Sequence, residues 1–373
     1  MLSSIILMCM KSSNKACTAQ LVAHMDAYVA IHEIFSKDTP LLVMLSGGGD
    51  SVALLHLLLK SMSQEPDSSR DITVMHINHQ LRGDESEADE AFVIELCHKL
   101  GLHLELRRLD VAAYAAEQRL NLEDAGRILR YREAEAYLDL LCDSRGVPRD
   151  TGRILTAHTR DDRVENFFNR AIYGSGLGGL AGMAPRRGRI VRPLLDLDRA
   201  KLREWLESCK HDWREDPSNE DESRTRAFIR ANIVPAAEEL RPNFRENLAR
   251  TMDLVADDDR LLSDMALSFA QNFCLERVEE ESITLDANLM LTLDPVMARR
   301  VLRVAIIETF EDASRLDASH VQAILEGLDI LRQLIASGEK LPPRKILYAR
   351  DIPPALRVKI NCATIGIARI QKV

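Results

Sequence analysis

Residues 41–55, Leu-Leu-Val-Met-Leu-Ser-Gly-Gly-Gly-Asp-Ser-Val-Ala-Leu-Leu, constrain the fold more than any other stretch of the chain. The apolar run Leu41 to Leu45 suits a strand buried on both faces. Three glycines cannot extend it, and Asp50-Ser51 open a second apolar run with helical spacing. A strand that turns tightly into a helix aims the free N–H groups of the helix start at whatever lies above the strand end. Glycine permits positive φ and close backbone approach, and those N–H groups carry partial positive charge, so the expected ligand is an anion, phosphate above all. Gly47, Gly48 and Gly49 supply the backbone, Ser46 and Ser51 add hydroxyls, and Asp50 adds a hard oxygen for an Mg2+ ion that neutralises phosphates. Three glycines alone fit an ordinary strand-to-helix turn equally well, so the reading depends on the rest of the chain.

The full hexapeptide Ser46-Gly47-Gly48-Gly49-Asp50-Ser51 is more specific. It resembles the pyrophosphate-loop signature of the N-type ATP pyrophosphatases, which split ATP into AMP and pyrophosphate. It differs from the common P-loop, whose Gly-Lys-Ser/Thr ending occurs nowhere here.

At 373 residues the chain suits two domains, and 46% hydrophobic with 29% charged residues describes a globular protein with no membrane partner. Its seven cysteines include no Cys-x-x-Cys pair, which argues against a disulfide framework or a cysteine metal site and for a cytoplasmic setting. Residues 1–20 read as an N-terminal extension, since the apolar start lacks the basic flank and length of a signal peptide. The net charge of −9 is concentrated: residues 251–312 hold fourteen acids against five arginines, whereas residues 185–203 hold seven bases against Asp196 and Asp198. The basic stretch is a candidate phosphate-backbone surface despite the total charge, with a solvated surface the competing reading.

Strands are expected at 41–45, 71–77, 103–109 and 153–158, and helices at 21–36, 84–100 and 122–141, with Gly101 ending the second. Strands separated by helices imply parallel βαβ units. The first half therefore reads as α/β, a doubly wound, mostly parallel sheet whose ligands sit at the carboxyl ends of strands. Ser46 to Ser51, Asn78 with His79, and His158 to Asp162 all fall at such ends. Asp162 and Glu165 are three residues apart at a helix start, so they share a face. A helix dipole explains one acid there, but explains less well the crowding of Asp161, Asp162 and Glu165. Five glycines between Gly174 and Gly182 suggest a loop closely approached by a ligand, or a plain linker.

His76-Ile-Asn-His-Gln-Leu-Arg82, Arg127-Ile-Leu-Arg-Tyr131, His158-Thr-Arg-Asp-Asp-Arg-Val-Glu-Asn166, Tyr173 to Met183, Arg192-Pro-Leu-Leu195 and Glu215-Asp-Pro-Ser-Asn219 with Arg226 and Arg230 follow one another in order. Together, over about residues 40–235, they resemble the tRNA(Ile)-lysidine synthetase family of this pyrophosphatase superfamily. The chain departs from the family's usual residues at Gly126, Thr159, Arg163, Asn166, Tyr173 and Ala227, beside the acids and first histidine of the pattern. The resemblance implies adenylation of cytidine 34 in a CAU-anticodon tRNA(Ile), with release of pyrophosphate. L-lysine then attacks C2 and AMP leaves. It implies ATP and Mg2+, with ATP held by Ser46, Gly47, Gly48, Gly49, Asp50, Ser51, His76 and Asn78, and the metal by Asp50. Arg127, with Arg130 as second candidate, would steady the transferring phosphoryl group, and His158 would place the base or move a proton. Asp162 and Glu165 would take the lysine ammonium, and Arg82, Arg192, Arg224, Arg226 and Arg230 the RNA phosphates. Two rivals remain: a thiolation enzyme of the same superfamily, expected to carry paired cysteines, and a non-catalytic relative that binds ATP or RNA. The oligomeric state, homodimer included, is open.

The catalytic domain is expected over 21–235. Beyond it the pattern becomes helical, and 236–339 reads as a helical tRNA-binding domain followed by a short tail, 340–373, too short for the further domain of longer family members.

Overall fold

The structure is a computed structural model that describes residues 2–36, 38–63, 72–215, 225–310, 316, 318–339, 341–342, 345–353 and 355–370, with residues 2–14 as backbone alone. The chain divides into two compact units, Met1–Asp253 and Leu254–Val373.

The first unit opens with α1 (Leu2–Ile31), β1 (Leu41–Met44), α2 (Gly49–Ser63), β2 (Ile72–Asn78), α3 (Asp84–Leu100) and β3 (His103–Arg108). It continues with α4 (Val111–Gln118), α5 (Leu122–Ser144), β4 (Arg153–Leu155), α6 (Arg160–Tyr173), α7 (Leu177–Leu180), β5 (Arg186–Arg187), β6 (Ile190–Val191) and α8 (Arg199–Cys209). Then come α9 (Thr225–Phe228), a π-helical turn Ile229–Ile233, α10 (Val234–Leu240) and the start of α11 (Phe244–Phe273). The sheet order is β3-β2-β1-β4-β6-β5, parallel except for the β5 edge. Leu41 pairs with Ile72 on one side and Arg153 on the other, so β1 is central.

Alternation along β1 builds a core on each face. Leu41 and Val43 pack with Leu54, Leu57, Val93 and Trp205, while Leu42 packs with Met75, Leu138 and Ile154. α3 stops where expected, because Gly101 takes the left-handed conformation (φ 65°) and its N–H returns to Cys97 and His98 carbonyls. The unit extends past the change of pattern at Pro235, because Val234, Phe244 and Leu248 pack with Val164 and Ile229.

The second unit holds the remainder of α11, then β7 (Cys274–Val278), β8 (Ser282–Asp286), α12 (Ala287–Leu291), α13 (Pro295–Thr309), α14 (Ala318–Ala336), β9 (Tyr348–Ile352), β10 (Leu356–Ile360) and β11 (Thr364–Arg369). Its helices are as expected, but residues 340–373 are not a tail. β9, β10 and β11 complete an antiparallel sheet, β7-β8-β11-β10-β9, in which Leu285 pairs with Ile365. The physical reason lies in the period-two pattern: Leu356, Val358 and Ile360 face the helices while Arg357 and Lys359 face out. Among the described residues no helix is long and apolar enough to cross a membrane.

Candidate active site

β1 and β4 are neighbours, and the chain leaves β1 towards β2 but leaves β4 towards β6. Their carboxyl ends therefore flank the switch-point crevice of the sheet. The loop after β1 is shaped by its glycines and serines. Gly47 has φ +92°, where a side chain is strained, and a Cβ on Gly49 would meet Trp213 Cδ1 at 3.3 Å. Ser46 Oγ accepts from the Gly48 N–H at 3.3 Å and lies 3.1 Å from Ser51 Oγ, which donates to the Gly48 carbonyl at 2.8 Å. The Arg214 N–H donates to the Gly47 carbonyl at 2.9 Å and fastens the loop from outside.

Asp50 stands in the first turn of α2. Its Oδ2 accepts from Arg199 Nε at 2.8 Å, while its buried Oδ1 has no partner among the described residues. Burial raises its pKa above the usual carboxylate value, with Arg199 opposing the shift. That orphaned acceptor tests whether Mg2+ fits. A single hard oxygen beside a phosphate loop suits a cation that takes most of its ligands from phosphates and water. No group of three or more ligating side chains exists among the described residues to form a closed protein cage.

The loop after β4 carries the second half of the site. Thr159, fully buried, caps α6. Asp162 Oδ2 accepts from its N–H at 2.7 Å and from its hydroxyl at 2.9 Å, a reciprocal capping box. Asp162 and Glu165 do share one face, as their spacing predicts, and both are held by arginines. Arg199 Nη2 donates to Asp162 Oδ1 at 2.9 Å and Nη1 reaches Glu165 Oε1 at 3.4 Å. Glu165, 4% exposed, also accepts from Arg230 Nε at 2.7 Å and Nη2 at 3.1 Å. Burial works against the charge on Asp162, but Arg199, His158 and the Thr159 donors outweigh it and lower its pKa. Burial likewise opposes the charge on Arg199, and the carboxylates of Asp162 and Asp50 raise its pKa instead. Asp161 belongs to a neighbouring network, accepting from the Arg199 N–H at 2.9 Å and pairing with Arg245.

His158 Nδ1 lies 2.9 Å from Thr156 Oγ1, and that hydroxyl donates to the Val191 carbonyl at 3.3 Å. Nδ1 is thus engaged by Thr156, which leaves Nε2 as the ring nitrogen for a further partner. Burial holds the His158 pKa at about 4, aided by Arg192, Arg130 and Arg226, so the ring is neutral at pH 7. His76 and Asn78 line the β2 end with their polar groups turned to the protein. His76 Nδ1 donates to the Leu45 carbonyl at 2.8 Å. Asn78 donates to Glu90 at 2.9 Å and accepts from the Gln80 N–H at 2.9 Å.

The arginines separate into distinct environments. Arg127 is exposed and pairs with Asp124 at 3.1 Å, whereas Arg130 is half-buried, 3.5 Å from His79 Nε2, and close enough to act on His158. Arg82 pairs with Asp89 at 3.1 Å and Arg226 with Glu123 at 3.2 Å. Arg224 lies outside the described residues. The expectation of one basic face over 185–203 is corrected: only part of the run faces solvent. Arg186 and Arg187 are exposed, but Arg192 is buried at 8% exposure and donates to the Ala184 carbonyl at 2.8 Å. Arg199 turns inward, because it begins α8 directly above the acids. Its role at the hub was missed in the sequence. The available signal was its position beyond Arg192-Pro-Leu-Leu195, after a strand only two residues long.

The fold and site define a nucleotide-binding α/β protein in which a phosphate-facing loop meets a cluster of carboxylates. The chain belongs to the PP-loop domain family, whose model matches residues 18–237. It is 36% identical over 232 residues to the tRNA(Ile)-lysidine synthase of Bacteroides thetaiotaomicron, covering 62% of this chain and 50% of that protein. It is 35% identical over 328 residues to the tRNA(Ile)-lysidine synthase of Geobacter sulfurreducens, covering 87% of this chain and 66% of that one. The chain thus spans half to two thirds of the length of these relatives. The U34-tRNA thiolase NcsA of Methanococcus maripaludis shares the fold, with a TM-score of 0.51 at 14% identity over 65% of this chain and 80% of that one.

Proposed function

We propose that this chain ligates L-lysine to C2 of cytidine 34 in the CAU anticodon of tRNA(Ile), using ATP and releasing AMP and pyrophosphate in the cytoplasm. The product would pair with A instead of G, which changes decoding from AUG to AUA and charging from methionine to isoleucine. The observation that carries this reading is the meeting of two subsites on one guanidinium: Asp50 from the phosphate loop, and Asp162 with Glu165 from α6. A reaction that first activates an oxygen with ATP and then brings in a cationic amine needs a phosphate site and a carboxylate site side by side.

In this reading Ser46, Ser51 and the N–H groups from Gly47 to Asp50 cradle the ATP phosphates. Mg2+, held by Asp50 Oδ1 and the phosphates, would supply charge neutralisation. Arg130, half-buried beside His79, is better placed than exposed Arg127 to face the crevice. His158, neutral at pH 7, offers Nε2 to the base as a hydrogen-bond partner and positions it. Asp162 and Glu165 take the lysine ammonium, Arg82 and Arg226 reach RNA phosphates, and Arg230, expected among them, instead holds Glu165. The unpaired geometry of an anticodon loop suits a base splayed into a crevice. Thiolation is the weaker reading, because the sequence carries no Cys-x-x-Cys pair.

The test is pyrophosphate release from Mg-ATP in a single turnover without lysine. The reading expects release that depends on the CAU transcript and vanishes when cytidine 34 becomes uridine. Release independent of that base contradicts it.

A further inference from the structure

The geometry points to Arg199 as the positioning residue that couples the nucleotide and amine subsites: it keeps the α6 acids occupied until nucleotide phosphates draw its guanidinium away. This inference rests on the proposed function for the identity of the two ligands.

Its basis is the saturation of the acids. Arg199 donates from Nε to Asp50 at 2.8 Å, from Nη2 to Asp162 at 2.9 Å and from Nη1 to Glu165 at 3.4 Å. Asp162's other oxygen is taken by Thr159, and Glu165's two oxygens by Arg230. Three carboxylates against the two guanidiniums leave one negative charge, so the cluster attracts a further cation. Yet among its carboxylate oxygens only Asp50 Oδ1 has no partner. An ammonium drawn to the site therefore finds its acceptors occupied, and one arginine must yield.

Arg199 is the one suited to yield to phosphate. Its Nε already sits on Asp50, at the helix start that faces the anion, and a guanidinium fork matches phosphate oxygens in two-point contact. Its backbone is anchored, since its N–H donates to Asp161 at 2.9 Å, so the side chain can redirect without moving α8. Its contact to Glu165 is the longest of the three, and Glu165 keeps Arg230 when Arg199 leaves. Redirection frees Asp162 Oδ1 and Glu165 Oε1 from Arg199 together, on the face where lysine is expected. Nucleotide should then strengthen lysine binding, and lysine strengthen nucleotide binding by the same factor.

Isothermal calorimetry on the full chain tests this, with lysine titrated in the absence and presence of Mg2+ and a non-hydrolysable ATP analogue. Wild type is expected to bind lysine roughly 5- to 150-fold more tightly with the analogue bound, the usual range for coupled sites. In Arg199→Gln that factor falls to about one, and lysine alone binds at least as well as to wild type. Arg199→Lys keeps the charge without the fork, folds with the cluster's charge balance intact, and recovers part of the factor. A merely structural arginine would change both affinities or the melting temperature, and leave the factor alone. Wild type that binds both ligands without coupling, or a glutamine variant that keeps the wild-type factor, overturns the inference and leaves the functional reading standing. Lysine that binds under neither condition overturns both.

Discussion

The two units treat polar groups in opposite ways. Among the described residues, fifteen of the sixteen buried polar or charged side chains lie in the first unit, including Glu90, Arg153, Arg160, Arg163, Glu165 and Arg192. The second unit contributes only Thr309. Its interior is instead a single apolar cluster in which Leu302, Ile306, Leu328 and Leu331 from the helices meet Val358, Ile365 and Ile367 from the sheet. Burying a charge costs stability unless each donor and acceptor is matched. The first unit bears that cost where its strands end, and meets it with the Asp50, Asp162, Glu165, Arg199 and Arg230 network. The comparison teaches that the first unit is built around a buried polar cluster, and the second around a single apolar core.

Several substitutions would break or sharpen this contrast. Asp50→Ala has the largest expected effect: turnover falls at least about 100-fold, the usual consequence of losing a preorganised charge in a site, while RNA binding in a filter assay stays near wild type. Retained turnover would remove Asp50 from its metal role. Leu302→Ala in the second unit should lower stability by about 2–5 kcal/mol in denaturant melts, with nucleotide binding below the transition unchanged. Coupled loss of nucleotide binding would show that the two units do not stand apart. Glu165→Ala leaves Arg230 and Arg199 short of an acceptor, so about 1–3 kcal/mol is expected, together with weaker lysine binding. A loss of stability without any change for lysine would make Glu165 structural only.

The pH response separates the units next. Burial holds His56, His79 and His158 near pKa 4, against about 6.5 in an unfolded chain. Between those values the unfolded state binds more protons, so stability is full above about pH 7 and falls as pH drops from about 6.5 towards 4. All three belong to the first unit, whose melting midpoint in calorimetry should fall over that window. At the small end, Arg332→Ala removes an exposed pair with Asp329 at 2.7 Å and should change stability by less than about 1 kcal/mol.

Much of this was legible before any coordinates. The strand at Leu41, the glycine turn and the α2 run are local signals, and so is the end of α3 at Gly101. What escaped depended on long-range placement. β6 is two residues long, too short to show a period, and with it went the position of Arg199, which looked like one more base in a basic run. The buried state of Arg192 depends on the Ala184 carbonyl and on Tyr131, which no local pattern reveals. β9 to β11 did carry alternation, but a short segment punctuated by prolines reads as a tail until its partner β8 is known. The α6 acids were legible as neighbours, whereas the arginines holding them come from elements 34 and 65 residues away.

Transfer of radiolabelled lysine to acid-precipitable RNA tests the central claim most directly, with Mg-ATP and an unmodified tRNA(Ile) CAU transcript beside a C34U transcript and the initiator tRNA that shares the anticodon. The account predicts label only on the C34 isoleucine transcript. Absence of label with ATP and RNA still bound, or label that ignores base 34, contradicts it.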